Sequence, residues 1–311
     1  MTRYLYSYSC HEEELELCRL ELWRLLEAPL RDGFVVSEHN VHPSRSPFLK
    51  RRMELSLSGA TLPELLEQLP LVDLNGATFK VLCTVADAPY SYEEQRALER
   101  SVGGSLVGVA DMRQPERLLG ITFWQQRYWF GACEQASAIW LAHRQKPQNY
   151  STALGTRVAR AIVNIAAGPA GEALKAKIID PCCGMGTVLI EALSMGLDIR
   201  GVDRNPLAVQ GARVNLAHFG YSKELVTLGD MRELEGHYDA AIVDLPYNLC
   251  SVLPIGEQLD MLESVRRLAD VAVIITTEPI ETQLAASGFS LIDQCKLHKS
   301  AFTRFITLVK S

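Results

Sequence analysis

The residues with the clearest chemical purpose form the tetrapeptide D-L-P-Y, in the second half of the 311-residue chain. Asp244 supplies a carboxylate, Leu245 a backbone carbonyl and Tyr247 an aromatic ring. Pro246 favours an extended backbone at the residue before it, which directs the carbonyl of Leu245. Two adjacent oxygen acceptors suit an exocyclic amino group of a nucleobase, and a ring beside them suits stacking of that base.

The reaction that this grouping predicts is methylation of the amino nitrogen. The lone pair of such a nitrogen is delocalised into the base, and two acceptors on its N–H bonds turn the lone pair toward a methyl donor. The nitrogen must then lose a proton, for which Asp244 is the predicted acceptor. Positioning of the reactants is expected to dominate the rate. The predicted catalytic residues are Asp244, Leu245, Pro246 and Tyr247, with no metal site.

A turn with two glycines, D-P-C-C-G-M-G-T, lies between a predicted strand and a predicted helix. Gly184 and Gly186 let the backbone approach a ligand closely, and the following helix offers its first N–H groups. Leu189 stands where a dinucleotide-binding G-x-G-x-x-G loop has its third glycine, which disfavours pyrophosphate binding.

Three acidic residues follow three consecutive predicted strands. Asp180 suits the ammonium group of a methionine moiety, Asp203 the hydroxyls of a ribose, and Asp230 the amino group of adenine. Because open α/β sheets bind ligands at the carboxyl ends of their strands, the three acids predict an S-adenosylmethionine site. The predicted cofactor-binding residues are Asp180, Cys182, Gly184, Gly186, Thr187, Asp203, Arg204, Asp230, Met231 and Asp244.

These residues need a sheet to hold them, and the second half of the chain predicts one. Short apolar runs alternate with helical segments, which indicates a parallel sheet with helical crossovers. Two last strands are too close together for a crossover and predict an antiparallel hairpin. The predicted fold is α/β, a class I (Rossmann-like) methyltransferase domain with a terminal hairpin. The predicted strands span 177–180, 199–203, 225–228, 240–244, 271–276, 289–297 and 303–310, and the helices 187–194, 206–219 and 258–268.

The first half has an α+β pattern without this regularity. A polar segment at 143–150 predicts a linker, so we expect an N-terminal α+β region at 1–145 and a methyltransferase domain at 146–311. In the first half, strands are predicted at 3–9, 34–36, 52–57 and 79–85, helices at 12–26, 62–69 and 92–102, and a β-hairpin at 119–132.

Composition limits the classes of function. The formal net charge is −6, so any nucleic acid must be bound by local basic patches. No apolar stretch approaches the roughly 18 residues of a membrane helix, and the start has no signal-peptide pattern. Eight cysteines without a CxxC pair indicate free thiols and a cytoplasmic location, with no membrane partner.

From residue 150 to 249 the chain resembles the THUMP-domain tRNA guanine-N2 methyltransferases, which act on the guanosine at position ten of tRNA. Y-S-T-A-L-G-T-R resembles the helix before the family's sheet, D-P-C-C-G-M-G-T its glycine loop, G-V-D-R-N its ribose-binding acid, G-D-M its adenine contact and D-L-P-Y-N its catalytic motif. The family's usual motif is D-P-P-Y, so Leu245 replaces a proline and reduces local stiffness. The segment 99–116 resembles the family's ferredoxin-like and THUMP region less distinctly.

The resemblance implies tRNA as the partner, methylated at guanine N2, with a partner subunit left open. Ribosomal RNA guanine N2, DNA adenine N6 or cytosine N4, and a non-catalytic RNA-binding role are the alternatives. The aromatic residues between 123 and 130 are predicted to form hairpin core. The candidate phosphate contacts are Arg45, Lys50, Arg51, Arg52, His143, Arg144 and Lys146.

Overall fold

The computed structural model describes residues 2–150, 153–169, 175–245, 254–299 and 302–311. The chain divides into two compact units, one formed by Met1–Ser9 and Leu26–Ser137 and the other by Cys10–Leu25 and Ala138–Ser311. The second unit therefore begins before the predicted boundary at residue 145 and includes an N-terminal segment that the sequence pattern did not assign to it. The interpretation of residues 1–145 as an RNA-binding region stays a prediction.

The first unit is built on a mixed sheet. Its strand order is β2-β1-β3-β7-β6-β5, with β4 beside β7, and only β5 and β6 pair in parallel among the described strands. The elements in chain order are β1 (Tyr4–Tyr8), α1 (Leu15–Leu26), which clusters with the second unit, β2 (Phe34–Ser37), β3 (Leu49–Glu54), β4 (Leu57–Gly59), α2 (Leu62–Leu66), β5 (Phe79–Cys83), α3 (Tyr92–Ser105), β6 (Arg117–Trp124) and β7 (Arg127–Gln135).

The predicted hairpin of the first unit is confirmed as β6 and β7. Its two turn residues, Gln125 and Gln126, have φ values of 51° and 59°, the positive values that a two-residue turn requires between twisted strands. Trp124 and Phe130 are buried, as predicted for core residues. The single strand predicted at 52–57 is wrong, because the chain forms β3 and β4 there. The start of β3 was missed because the charged residues Lys50 to Arg52 do not show the apolar pattern of a strand.

The second unit contains the predicted parallel sheet. The described strands follow the order β10-β9-β8-β11-β12-β14-β13, parallel from β10 to β12 and antiparallel for the last two. This confirms the predicted class I methyltransferase fold with its terminal hairpin. The elements are α4 (Thr156–Ala167), β8 (Lys177–Asp180), α5 (Thr187–Ser194), β9 (Asp198–Asp203), α6 (Pro206–His218), β10 (Val226–Leu228), β11 (Tyr238–Asp244), α7 (Ile255–Leu268), β12 (Ala269–Thr276), α8 (Glu281–Ala286), β13 (Ser290–Lys299) and β14 (Phe302–Lys310).

The predicted linker at 143–150 lacks regular secondary structure only from residue 146 onward. Residues Ile139–Gln145 form a 3-10 helix of the second unit. His143 is buried there, and its Nδ1 lies 2.7 Å from Oε1 of Glu191 on α5. The other oxygen of Glu191 accepts a hydrogen bond from Arg160 of α4 at 3.0 Å. A polar residue that the sequence pattern assigned to a linker is therefore part of a buried network, in which Glu191 compensates the charge of Arg160 and contacts His143.

The helix α1 belongs to the second unit for a similar reason. The side chain of Asn164 on α4 donates a hydrogen bond of 2.6 Å to Oε1 of Glu21 on α1, and both residues are fully buried. A buried carboxylate needs such a partner, so α1 is held to α4. Over the described residues, no helix has the length and apolar character needed to cross a membrane.

Candidate active site

The sheet order reverses at β8, which pairs with β9 on one side and β11 on the other. The crevice beyond the carboxyl ends of the strands at such a point is where open α/β sheets bind ligands. Asp180 ends β8, Asp203 ends β9 and Asp244 ends β11. The three carboxylates all line one cavity of about 500 Å³.

The glycine turn forms one wall of this cavity. Gly184 and Gly186 have φ values of 50° and 76°, a left-handed conformation that favours glycine. A Cβ on Gly186 would also lie 3.3 Å from the Cβ of Ala212 on α6. Gly186 is the N-cap of α5 and is not among the residues that line the cavity. The other predicted cofactor-binding residues all line it.

Asp203 braces the glycine turn. Its Oδ2 accepts a hydrogen bond from the backbone N–H of Gly184 at 2.8 Å, and its Oδ1 accepts one from the N–H of Asn205 at 2.8 Å. Each carboxylate oxygen has a second lone pair free to accept a hydroxyl. The carboxylate predicted to hold a ribose is therefore fixed in place by the same turn that would contact the rest of the ligand.

Asp230 is more heavily engaged than the sequence indicates. Its carboxylate pairs with Arg232, whose Nε and backbone N–H both donate to Oδ1 at 2.9 Å. These hydrogen bonds from Arg232 lower the pKa of Asp230 to about 2. Arg232 lies on the cavity wall and was not singled out from the sequence. The adenine contact of Asp230 stays a prediction, and Arg232 would share that end of the cavity.

Asp244 is the strand-end acid best suited to accept a proton. Its Oδ1 is out of contact with solvent and has no hydrogen-bond partner among the described residues. Burial raises the pKa of this carboxyl group from 3.8 to about 7, and the positive charge of Arg304 only partly offsets the effect. Asp244 lines the cavity, and a carboxyl group with a pKa of about 7 can take up a proton there near neutral pH.

Leu245 is held by a contact that the usual proline of the motif does not allow. Its N–H donates a hydrogen bond of 3.0 Å to the carbonyl of Ile275 on β12, and its side chain is buried in the core. Because proline has no N–H, this bond is available only to a residue such as leucine. The stiffness that the substitution removes is therefore restored by pairing with the neighbouring strand. Pro246 and Tyr247 lie outside the described residues.

Asn215 is a positioning residue that no sequence signal revealed. Its buried side chain accepts a hydrogen bond from the N–H of Gln148 at 2.8 Å and donates to the carbonyls of Gln148 and Met185 at 2.9 Å. It thereby ties the glycine turn to the segment that ends in Tyr150, which lines the cavity.

The carboxyl group of Asp180 is also fully buried here, and burial raises its pKa well above the ordinary value.

The candidate phosphate contacts fall into separate environments. In the first unit Lys50 is exposed, whereas Arg51 donates to the carbonyl of Cys83 at 2.9 Å and Arg52 pairs with Glu134 at 3.0 Å. Arg45 is partly buried. Each of the three arginines is partly buried, so Lys50 is the most accessible of these four residues.

In the second unit Arg144 is exposed and Lys146 is buried. His143, which the sequence grouped with them, is committed to Glu191.

The cavity fits S-adenosylmethionine by its chemistry. Acidic groups at three strand ends suit an ammonium group and ribose hydroxyls, a glycine turn permits close approach of the ligand, and Val188 and Met231 add apolar surface. Over the described residues, no group of three His, Cys, Asp or Glu side chains is placed to hold a metal ion. Fold and cavity together define a class I methyltransferase domain.

Comparison with known proteins agrees with this class. Residues 143–251 match the UPF0020 family model, described as RMKL-like, methyltransferase domain. The tRNA (guanine(10)-N2)-dimethyltransferase of Methanothermobacter thermautotrophicus is 30% identical over 181 residues, 54% of this chain and 52% of that protein. The Pyrococcus abyssi protein of the same name is 33% identical over 116 residues, 36% of this chain and 33% of that protein. The predicted resemblance to tRNA guanine-N2 methyltransferases is thus confirmed, and the chain spans about half the length of the first relative.

The crystal structure of TrmN from Thermus thermophilus matches with a TM-score of 0.48 and 16% identity, covering 100% of each chain.

Proposed function

We propose that the protein is an S-adenosylmethionine-dependent methyltransferase that modifies N2 of guanosine in tRNA. The observation that carries this proposal is the position of Asp244, whose carboxylate lines the same cavity as Gly184 and Asp203. A methyl donor held by the glycine turn and a nucleobase held by Asp244 would then meet in one enclosed space. S-adenosylmethionine supplies a methyl group carried on a positively charged sulfur.

The chain's own residues would act by holding and deprotonating the amino group. The Asp244 carboxylate accepts one N–H of the guanine amino group, the backbone carbonyl of Leu245 accepts the other, and Tyr247 stacks on the base. Asp244 then takes the proton that the nitrogen loses, a role to which a pKa of about 7 is matched. Pro246 directs the Leu245 carbonyl, which the hydrogen bond to Ile275 steadies.

The cofactor would be held by groups that already have fixed orientations. Asp203, braced by the glycine turn, binds the ribose hydroxyls, and Asp180 binds the ammonium group. Asp230 and Met231 contact the adenine, and Arg204, exposed at the rim, closes that side of the cavity. Cys182 and Thr187 contribute to the wall beside the methyl donor.

The choice of tRNA rests on the relatives, both of which are named for tRNA guanine-10 N2 dimethylation. Residues 1–145, interpreted as a ferredoxin-like and THUMP region, would bind RNA in this proposal. The seven cysteines among the described residues are all free.

Incubation of the protein with unmodified tRNA and methyl-labelled S-adenosylmethionine, followed by nucleoside analysis, tests the proposal. We expect label in N2-methylguanosine or its dimethyl form. Label in ribosomal RNA or in DNA adenine or cytosine instead would transfer the assignment to those substrates. Absence of label, together with no rise in thermal stability on adding the cofactor, would indicate a non-catalytic RNA-binding protein.

A further inference from the structure

A second cavity adjoins the cofactor cavity in the same unit. It has a volume of about 550 Å³, and Tyr150, Ala153 and Leu154 line both cavities. The two cavities therefore share these three wall residues, and a ligand group in the second cavity would lie close to the cofactor cavity.

The described walls of the second cavity carry an excess of positive charge. The basic residues Arg144, Lys146, Arg157 and Arg304 line it, against the two carboxylates of Glu13 and Glu14. Glu14 and Arg157 pair at 2.7 Å and offset each other, which leaves three basic residues against Glu13. The chain as a whole has a formal net charge of −6, so this local balance is opposite to that of the protein.

Lys146 points to an anionic ligand most directly. Its side chain is only 7% exposed, yet the described residues provide neither a hydrogen bond nor an ion pair for its ammonium group. Glu191 is the acid that influences its charge, but the two Glu191 oxygens are already bound to His143 and Arg160. Lys146 lines the cavity and is largely removed from water, so its positive charge would be stabilised by an anion bound there.

Helix α4 adds a second source of positive potential. Its N-cap is Gly155, whose lack of a side chain leaves the first N–H groups of this 12-residue helix without a side-chain cap. Gly155, Thr156 and Arg157 all line the cavity. The start of a helix attracts anions because its N–H groups and dipole both favour negative charge.

We propose that this basic cavity, defined by Arg144, Lys146, Arg157 and Arg304, binds a backbone phosphate of the RNA substrate close to the nucleotide whose base enters the cofactor cavity. The inference rests on the proposed function and adds a phosphate site to it. A base that reacts in an enclosed site must leave its stack, and a grip on the adjoining backbone holds the extruded nucleotide in place. The shared wall at Tyr150 puts the two binding events next to each other.

The test compares Lys146→Met with Lys177→Met. Methionine fills the space of the lysine without its charge. Lys177 is an exposed lysine of the same unit and is the first residue of β8, whereas Asp180 at the other end of this strand lines the cofactor cavity. Arg144→Gln is a second variant at an exposed position, which protects the test against a folding defect in the first. Binding of unmodified tRNA is measured across a salt series, together with the KM for tRNA and the affinity for S-adenosylmethionine.

We expect Lys146→Met to raise the KM for tRNA about tenfold and to reduce the slope of log affinity against log salt by about one phosphate contact. Arg144→Gln should move both quantities in the same direction, while cofactor affinity stays at the wild-type value in both variants. Lys177→Met should match the wild type in every measurement.

A salt slope and a KM equal to those of Lys177→Met in both variants would overturn the phosphate site while leaving tRNA methylation intact. The RNA phosphate site is equally overturned if inorganic phosphate stabilises the wild type but not Lys146→Met and the RNA slope is unchanged, since the cavity would then hold a small anion. A wild-type protein that methylates no RNA would instead refute the proposed function and, with it, this inference.

Discussion

Replacement of Asp244 by asparagine tests the proposed chemistry most directly. Burial raises the pKa of the Asp244 carboxyl group from 3.8 to about 7. A shift of this size corresponds to a preference of about 4 kcal/mol for the neutral form. With a pKa of about 7, about a tenth of the carboxyl groups are ionised at pH 6 and about nine tenths at pH 8.

If the ionised carboxylate is required, kcat/KM of the wild type rises about tenfold between pH 6 and pH 8 and then levels off. Asparagine keeps the shape and one acceptor oxygen but cannot take up the proton. We therefore expect Asp244→Asn to lose about two to three orders of magnitude in rate and to lose the rise with pH. Affinity for S-adenosylmethionine should change much less.

Single-turnover methyl transfer to unmodified tRNA, followed over this pH range with labelled cofactor, measures both effects. Asp198→Asn is the matched control. Asp198 is exposed and is the first residue of β9, whereas the site lies at the carboxyl ends of the strands. A flat wild-type profile between pH 6 and pH 8, or an Asp244→Asn rate within about threefold of the wild type, would refute the reasoning.

Ionisation of Asp244, which should raise the rate, should lower the stability of the fold. Its folded pKa lies above its unfolded value, so its favourable contribution is full below about pH 4 and is lost as the pH rises through about 7. Asparagine has no charge to desolvate. At pH 8 the variant should therefore exceed the wild type in free energy of unfolding by up to about 4 kcal/mol, as measured by urea denaturation. Equal stability at pH 8 would contradict the burial of this charge.

Three further changes test the supporting structure. Gly186→Ala places a side chain at a φ of 76° and 3.3 Å from Ala212, so urea unfolding should show a loss of about 1–3 kcal/mol; wild-type stability would rule out strain at this turn. Glu191→Gln leaves the buried charge of Arg160 without its anion and should cost about 3–5 kcal/mol in the same assay, and a loss below about 1 kcal/mol would argue against the network. Asn215→Ala frees the glycine turn from its tether and should weaken cofactor binding about tenfold by calorimetry, whereas unchanged affinity would show that the turn holds its shape alone.

Much of the second unit follows from local pattern. Helix α5 has the predicted bounds, and the strands of the parallel sheet differ by at most two residues from prediction at their ends. Each of these elements has its own apolar run and a turn on either side, so neighbouring residues are sufficient to specify it. The acids at the strand ends could be placed near one another for the same reason, because parallel strands bring their carboxyl ends to one edge.

The sequence-based predictions failed where a polar side chain pairs with a residue from a distant part of the chain. The first three residues of the predicted linker belong to a 3-10 helix in which His143 pairs with Glu191, and a hydrogen bond between Asn164 and Glu21 holds helix α1 to the second unit. A buried polar side chain and an exposed one have the same letter in the sequence. Only the partner distinguishes them, and the partner comes from a distant segment.

The sequence by itself determined the order of strands and helices and the residue types at the strand ends, because hydrophobic periodicity and turn chemistry act over a few neighbouring residues. Tertiary structure alone decided the charge of the site. The pKa of Asp244, the pairing of Asp230 with Arg232, the lowered pKa of Lys146 and the tether from Asn215 all depend on burial and on which groups meet. Both are properties of packed neighbours, since removal from water and proximity of charge arise only when distant segments come together.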